Sequence, residues 1–141
     1  MAVKITVTGM DELKAEMKKL LAEMRDATGE GVTACAEALA EIVRNNTPEG
    51  PTKNLKRAVT TKGLPEKWGY PPTTLVGLDY GIAPHQHLVE FGTGPRYHKS
   101  GKATGYMPAL GFFRRSIDQA GSRIENIIRS HAKGPIERRG G

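Results

Sequence analysis

Six apolar residues in the C-terminal third, Leu110, Phe113, Ile117, Ala120, Ile124 and Ile127, recur at three- and four-residue steps. Only an α-helix places such a set on one face, so this stripe is expected to lie against the core. The helix should start near Pro108, because proline suits a first helical turn. It should end near Lys133-Gly134-Pro135, where glycine and proline stop helices. Residues 134–141 then read as a flexible basic tail outside a single domain of residues 1–133. At 141 residues the chain has room for one core.

The same periodicity appears at the other end. Leu13, Met17, Leu20, Leu21 and Met24 share a face from about Met10 to Ala27. Thr8 and Asp11 resemble a capping box before it. Val32, Ala36, Leu39 and Val43 continue the pattern with Cys35 and Ile42 beside it, until Asn45-Asn46-Thr47-Pro48 closes it. Gly29 and Gly31 between the two stretches either break one long helix or bend it. Val3, Ile5 and Val7 alternate with polar residues, the period of a half-buried strand. In the middle of the chain, Leu55 to Thr61 suits a strand because Val59, Thr60 and Thr61 are β-branched. Lys62 to Pro72, with Trp68 and Tyr70, reads as a loop. Thr73 to Ile82 is a second strand, antiparallel to the first. His85 to Phe91 has length for two helical turns before Gly92, and Gly92 to Met107 shows no apolar period. The expectation is an α+β fold: a small antiparallel sheet packed against a long N-terminal helical region and a C-terminal helix.

The formal charge of +6 is unevenly spread: residues 1–50 balance at −3 and residues 94–141 at +7. A basic C-terminal third suits either nucleic acid or an acidic protein surface. One cysteine, Cys35, excludes an internal disulfide framework and a cysteine zinc cluster. No run of eighteen apolar residues is available to span a membrane. Met1-Ala2-Val3-Lys4-Ile5-Thr6 lacks the apolar block of a secretion signal, so assembly in a reducing cytoplasm is expected.

Motifs for catalysis are missing. His85, His87 and Glu90 tempt a metal assignment, but on a helix the two histidines diverge, and in an extended segment no third ligand is defined. Gly94 to Ala103 superficially resembles a phosphate-binding loop. Six residues separate its glycines instead of four, and Ala103 stands where Ser or Thr must hold magnesium. Cys35 lies beside an apolar helix face with no activating partner in view. Arg114, Arg115, Arg123 and Arg129 do not fall in one strip, and no zinc-finger, RRM or helix-turn-helix signature accompanies them. No enzyme activity, cofactor or metal is expected.

One constellation is more specific. His87-Leu88-Val89-Glu90-Phe91-Gly92-Thr93, a basic loop, and Met107-Pro108-Ala109 leading into Phe112-Phe113-Arg114 resemble the siphophage tail-completion family typified by gene product ten of phage HK-ninety-seven. Glu90, Phe91, Gly92 and Thr93 match its first element outright. Phe112 and Arg114 match the second, whereas Gly111, Phe113, Arg115 and Ser116 depart from it. Pro48, Thr52, Leu55 and Ala58 loosely echo an earlier family pattern, and Gly9-Met10-Asp11-Glu12-Leu13 looks like its helix start. In physical terms, Gly92 should stop the short helix and Thr93 return a hydrogen bond to the backbone. Phe91 should anchor the turn in the core, and Glu90 should pair with Arg96 or Arg114.

The resemblance implies a virion structural protein of the tail or neck, at the head–tail junction, assembled as a ring, often six-fold. It would meet the tail terminator or tail tube and the head-connector proteins. A ring needs two different patches per subunit, and the acidic and basic ends of the chain offer such a pair. Arg96, Lys99 and Lys102 are the candidate interface, and nonspecific contact with passing DNA is compatible with their charge. The rival expectation is a basic nucleic-acid-binding accessory protein.

Overall fold

The computed structural model describes residues 3–6, 8–65, 67 and 71–140. Its elements, in chain order, are α1 (Met10–Asn46), α2 (Asn54–Arg57), β1 (Val59–Gly63), β2 (Thr74–Leu78), α3 (Gln86–Phe91), β3 (Arg96–Tyr97), β4 (Ala103–Gly105) and α4 (Phe112–Gly140). The two long helices lie antiparallel, and the β1–β2 hairpin packs on the second half of α1. This is the α+β arrangement the periodicities point to.

Helix α1 is continuous through both glycines. Gly31 is buried, and a Cβ built there would stand 3.2 Å from the Cβ of His131 on α4. Gly29 faces Pro72 at 3.8 Å. Glycine costs a helix about 1 kcal/mol relative to alanine, and at Gly31 the close approach of α4 offsets that cost. The helix starts without the expected box: Gly9, at φ 85°, takes the N-cap position and no side chain caps it. Asp11 and Glu12 in the first turn still complement the helix dipole. At the far end Thr47 donates both its backbone N–H and its hydroxyl to the Val43 carbonyl, and Pro48 forbids continuation.

The buried face of α4 is turned from the expected stripe by about one residue. Phe112, Ser116 and Ala120 are buried, Ile124 and Ile127 are half-buried, and Ile117 is 48% exposed. Small side chains decide this, because they let the two helices approach closely. Asn46 donates to the Ser116 hydroxyl at 3.0 Å and to Gln119 at 2.8 Å. Ser116 in turn donates to the Phe112 carbonyl at 2.7 Å. Farther along, the Cys35 thiol lies 3.6 Å from the Ile124 carbonyl. The helix also starts later than expected, at Phe112, and passes through Pro135 to Gly140. Pro135 is buried and lies beside Ala27 and Glu30 of α1, so packing against α1 offsets the missing N–H, and the segment expected as a tail is helical. Gly141 lies outside the described residues.

Two smaller expectations change. Residues 3–6 form no strand, and Val3 and Ile5 are exposed; alternation alone supplies no ladder partner, and Val7 lies outside the described residues. The strand expected from Leu55 begins at Val59, where the β-branched run begins. Asn54–Arg57 is instead a single helical turn that buries Leu55. The hairpin register pairs Val59 with Leu78 and Thr61 with Val76. Trp68 and Tyr70 of the connecting loop lie outside the described residues.

The main core is small: Ala40, Val43, Leu55, Ala58, Val59, Ala83, Val89 and Phe112. It sits where the C-terminal half of α1, the hairpin, α3 and the start of α4 meet. The N-terminal half of α1 extends away from it. Of the residues expected on a core face, Leu13, Met17 and Leu21 are exposed and Leu20 and Met24 are half-buried; Met10, one turn earlier, is exposed as well.

Candidate functional site

The segment Glu90–Thr93 is the junction of three elements. Helix α3 ends at Phe91, and Gly92 at φ 74° stops it, donating its N–H to the Leu88 carbonyl at 2.8 Å. A Cβ at Gly92 would lie 2.6 Å from both the Ala109 nitrogen and the Met107 oxygen. Glycine is therefore required here twice over, by conformation and by space. Thr93 closes the junction: its N–H donates to Met107 O at 2.8 Å, and its hydroxyl accepts from Met107 N–H at 2.9 Å.

Glu90 does something other than the expected ion pair. Its carboxylate accepts the backbone N–H of Phe113 at 2.9 Å and of Arg114 at 3.2 Å. Those are unsatisfied donors of the first turn of α4, where a negative charge also meets the positive end of the helix dipole. The carboxylate thus pins α3 to α4, and the Arg114 side chain is left at the surface. Leu110 and Gly111 donate to the carbonyls of Val89 and Glu90 at 3.1 Å each, which ties these residues to α3, and Gly111 at φ 55° turns the chain, so α4 starts late. The two separated sequence elements, Glu90–Thr93 and Phe112–Arg114, are one structural unit.

Between the clamped ends, the segment expected to be irregular forms a small antiparallel hairpin. Arg96 pairs with Gly105 and Tyr97 with Ala103. His98 N–H donates to Lys102 O and Gly101 N–H to His98 O, both at 2.8 Å, and Gly101 at φ 83° makes the turn possible. Arg96, Lys99 and Lys102 are all exposed on this hairpin. The structure therefore brings the three candidate cations together on one projection, with Tyr97 and Tyr106 exposed beside them.

Phe91 is the correction. It is 78% exposed and anchors nothing in the core. Successive helical residues turn by about 100°, so with Val89 buried the side chain two residues on points to the opposite side. Phe112, at 1% exposure, fills the core position instead. Phe91 borders a cavity of about 400 Å³ shared with Leu78, Tyr80, His87, Phe112 and Phe113. Tyr80 on its rim is 65% exposed. It sits in a turn where the Asp79 carboxylate accepts Gly81 N–H at 2.8 Å. Asp followed by Gly two residues later was the one sequence sign of that turn.

Among the described residues, no three His, Cys, Asp or Glu side chains converge as a metal site requires. Burial pushes the Cys35 thiol up from its ordinary pKa, the opposite of nucleophile activation. Among the described residues, no helix is long and apolar enough to cross a membrane. No family model, curated protein or solved structure matches this chain.

Proposed function

We propose that this chain is a virion structural protein of the head–tail junction of a tailed phage, acting as a ring subunit that helps join tail to head. The carrying observation is that the motif residues meet in one junction from which a basic hairpin projects. Gly92, Thr93 and Glu90 all position that hairpin relative to α3 and α4. Such a device suits contact with another protein.

In this reading Arg96, Lys99 and Lys102 reach an adjacent subunit, or a tail-terminator, tail-tube or connector protein. Exposed charge pairs are worth only about 0–1 kcal/mol each. Repeated around a ring, they select which surfaces meet and oppose wrong partners. Reversing all three to Glu should leave the monomer folded while heads and tails fail to join. Electron microscopy of a phage lacking the gene, complemented by the variant, reads this out. Normal infectious particles would remove these side chains from the function.

A basic nucleic-acid-binding accessory protein is the second reading, favoured by Tyr97 and Tyr106 lying exposed on the cationic hairpin. Steeply salt-dependent binding of DNA by the wild type, lost on the same charge reversal, would favour it instead.

A further inference from the structure

The β1–β2 hairpin is a two-stranded sheet, and its register fixes which backbone groups it leaves open. Asp79 N–H donates to Ala58 O at 2.7 Å and Leu64 N–H to Thr73 O at 2.9 Å, just beyond the two ends of the paired run. Hydrogen-bonded pairs alternate along an antiparallel ladder. Thr60 and Lys62 therefore face β2, and Val59, Thr61 and Gly63 turn their N–H and C=O groups away from it. Val59 shows this directly, because its carbonyl accepts from the Arg44 guanidinium at 3.3 Å. Thr61 and Gly63 are exposed, whereas Thr74 and Val76 on the other edge are half-buried. The open edge borders a groove of about 630 Å³, lined by Gly63, Leu64 and Pro72 on the hairpin and by Thr33, Ala34 and Glu37 on α1. Arg44 lies two turns beyond Glu37 on the same face of α1, so the edge it reaches is the one beside the groove.

We infer that residues 3–6 of a second copy add to this edge as a third strand, antiparallel to β1. Val3-Lys4-Ile5-Thr6 has the alternation of a strand, yet it belongs to no helix or strand within the chain. Val3 and Ile5, at 81% and 83%, are the most exposed large apolar side chains among the described residues. The segment thus has strand pattern without a ladder, and β1 has a ladder edge without a strand. Joining the two satisfies main-chain groups and seats alternate side chains, the usual mode of strand addition. The register that sets Ile5 opposite Gly63 gives its side chain the space the glycine leaves, since a Cβ at Gly63 meets nothing within 4 Å. It also places Thr6, not Lys4, across from Lys62. Strands β3 and β4, of two and three residues with an irregular register, are too short to serve.

The chain's own segment cannot take this place. Asp26, the groove residue nearest the start of α1, lies 16 residues after Met10, about 24 Å along the axis at roughly 1.5 Å per residue. Ile5 precedes Met10 by five residues and reaches at most about 18 Å from it even fully extended. A second copy supplies the strand without that limit. One copy then gives a strand and the next gives an edge, a heterologous contact of the type that builds rings.

This contact rests on the ring reading above and gives that ring an interface. The test uses the full chain and two proline variants, because proline removes one N–H from a ladder. In this register the Ile5 N–H faces Gly63 and the Thr6 N–H points away from β1. Sedimentation should therefore show a multimer for the wild type and for Thr6→Pro, and the 15.3 kDa monomer for Ile5→Pro with unchanged circular dichroism. Amide exchange gives the second readout. The Ile5 and Gly63 amides should gain roughly tenfold protection or more on assembly, while Thr60 and Lys62, already bonded to β2, are protected in monomer and multimer alike. Three outcomes overturn this contact and leave the ring standing: a multimer in which Gly63 exchanges as fast as in the monomer, an Ile5→Pro chain that still assembles, and equal loss of assembly in both proline variants. A wild type that is monomeric at every concentration overturns both.

Discussion

Phe91 and Phe112 border the same cavity from opposite states of burial, and the difference has measurable consequences. Phe112 is packed among Val43, Leu55 and Val89 in the core, so Phe112→Ala should cost about 3–5 kcal/mol. Phe91→Ser removes a side chain already in water and should change stability by no more than about 0.5 kcal/mol. Urea melts of both variants, taken at a concentration where the chain is monomeric, check the pair. Equal losses would mean that Phe91 is packed after all. The sequence contained a helix stop at Gly92 and a hydrogen-bonding Thr93, and both behave that way. It did not contain the rotation of α3. Val89 and Phe91 are both apolar and about 200° apart on a helix, so either fits a core position until the neighbouring elements are placed. Glu90 was misread for a related reason: its acceptors' partners are backbone N–H groups, which no side-chain pattern reveals.

At the level of elements, periodicity located both long helices but not the side from which each is covered, and it missed the single turn of α2, which was expected as strand. The seam between α1 and α4 is built from small residues, Gly31, Cys35 and Ala38 on one helix and Ser116 and Ala120 on the other. A hydrophobicity pattern assigns the large residues to the core, whereas close helix approach selects the small ones, and Ile117 was misassigned on that account. The glycines make the point testable. Gly29→Ala meets only ordinary contact at 3.8 Å and gains helix propensity, so it should stabilise by about 0.5–1 kcal/mol. Gly31→Val adds a branched side chain where even a Cβ stands 3.2 Å from His131. It should destabilise by about 1–3 kcal/mol through overpacking. Thermal melts that move both variants in the same direction would show that α4 does not lie against Gly31. Pro135 follows the same logic. Proline ordinarily ends a helix, yet burial of its ring carries α4 onward, and that burial depends on a helix distant in sequence.

For the whole molecule, the uneven charge was legible from the sequence, and so was the limit to a single core. The exposed stripe was legible only in half. A repeat of Met and Leu on one helical face reports that the face needs apolar cover, and is silent on which chain provides it. Here the covered part of α1 is the half beside α4 and the hairpin, and the uncovered half carries Met10, Leu13, Met17 and Leu21. The alternation of Val3 and Ile5 is a sign of the same kind, since it reports a strand and not the edge that takes it. If a second copy provides that edge, association and folding are linked, because a partner that binds only the folded state stabilises it by mass action. With about one such contact per subunit in a ring, a tenfold rise in protein concentration should add about 1 kcal/mol per subunit. For a chain of this length that is an increase in Tm of roughly 2–6 °C. The Ile5→Pro variant should melt at one temperature across the same series, since its contact is gone and the removed side chain was solvated in the monomer. Differential scanning calorimetry over a hundredfold concentration range reads this directly. A wild-type Tm that stays flat over that range would mean that residues 3–6 and the β1 edge both stay solvated in solution, and a ring would then have to close without this contact.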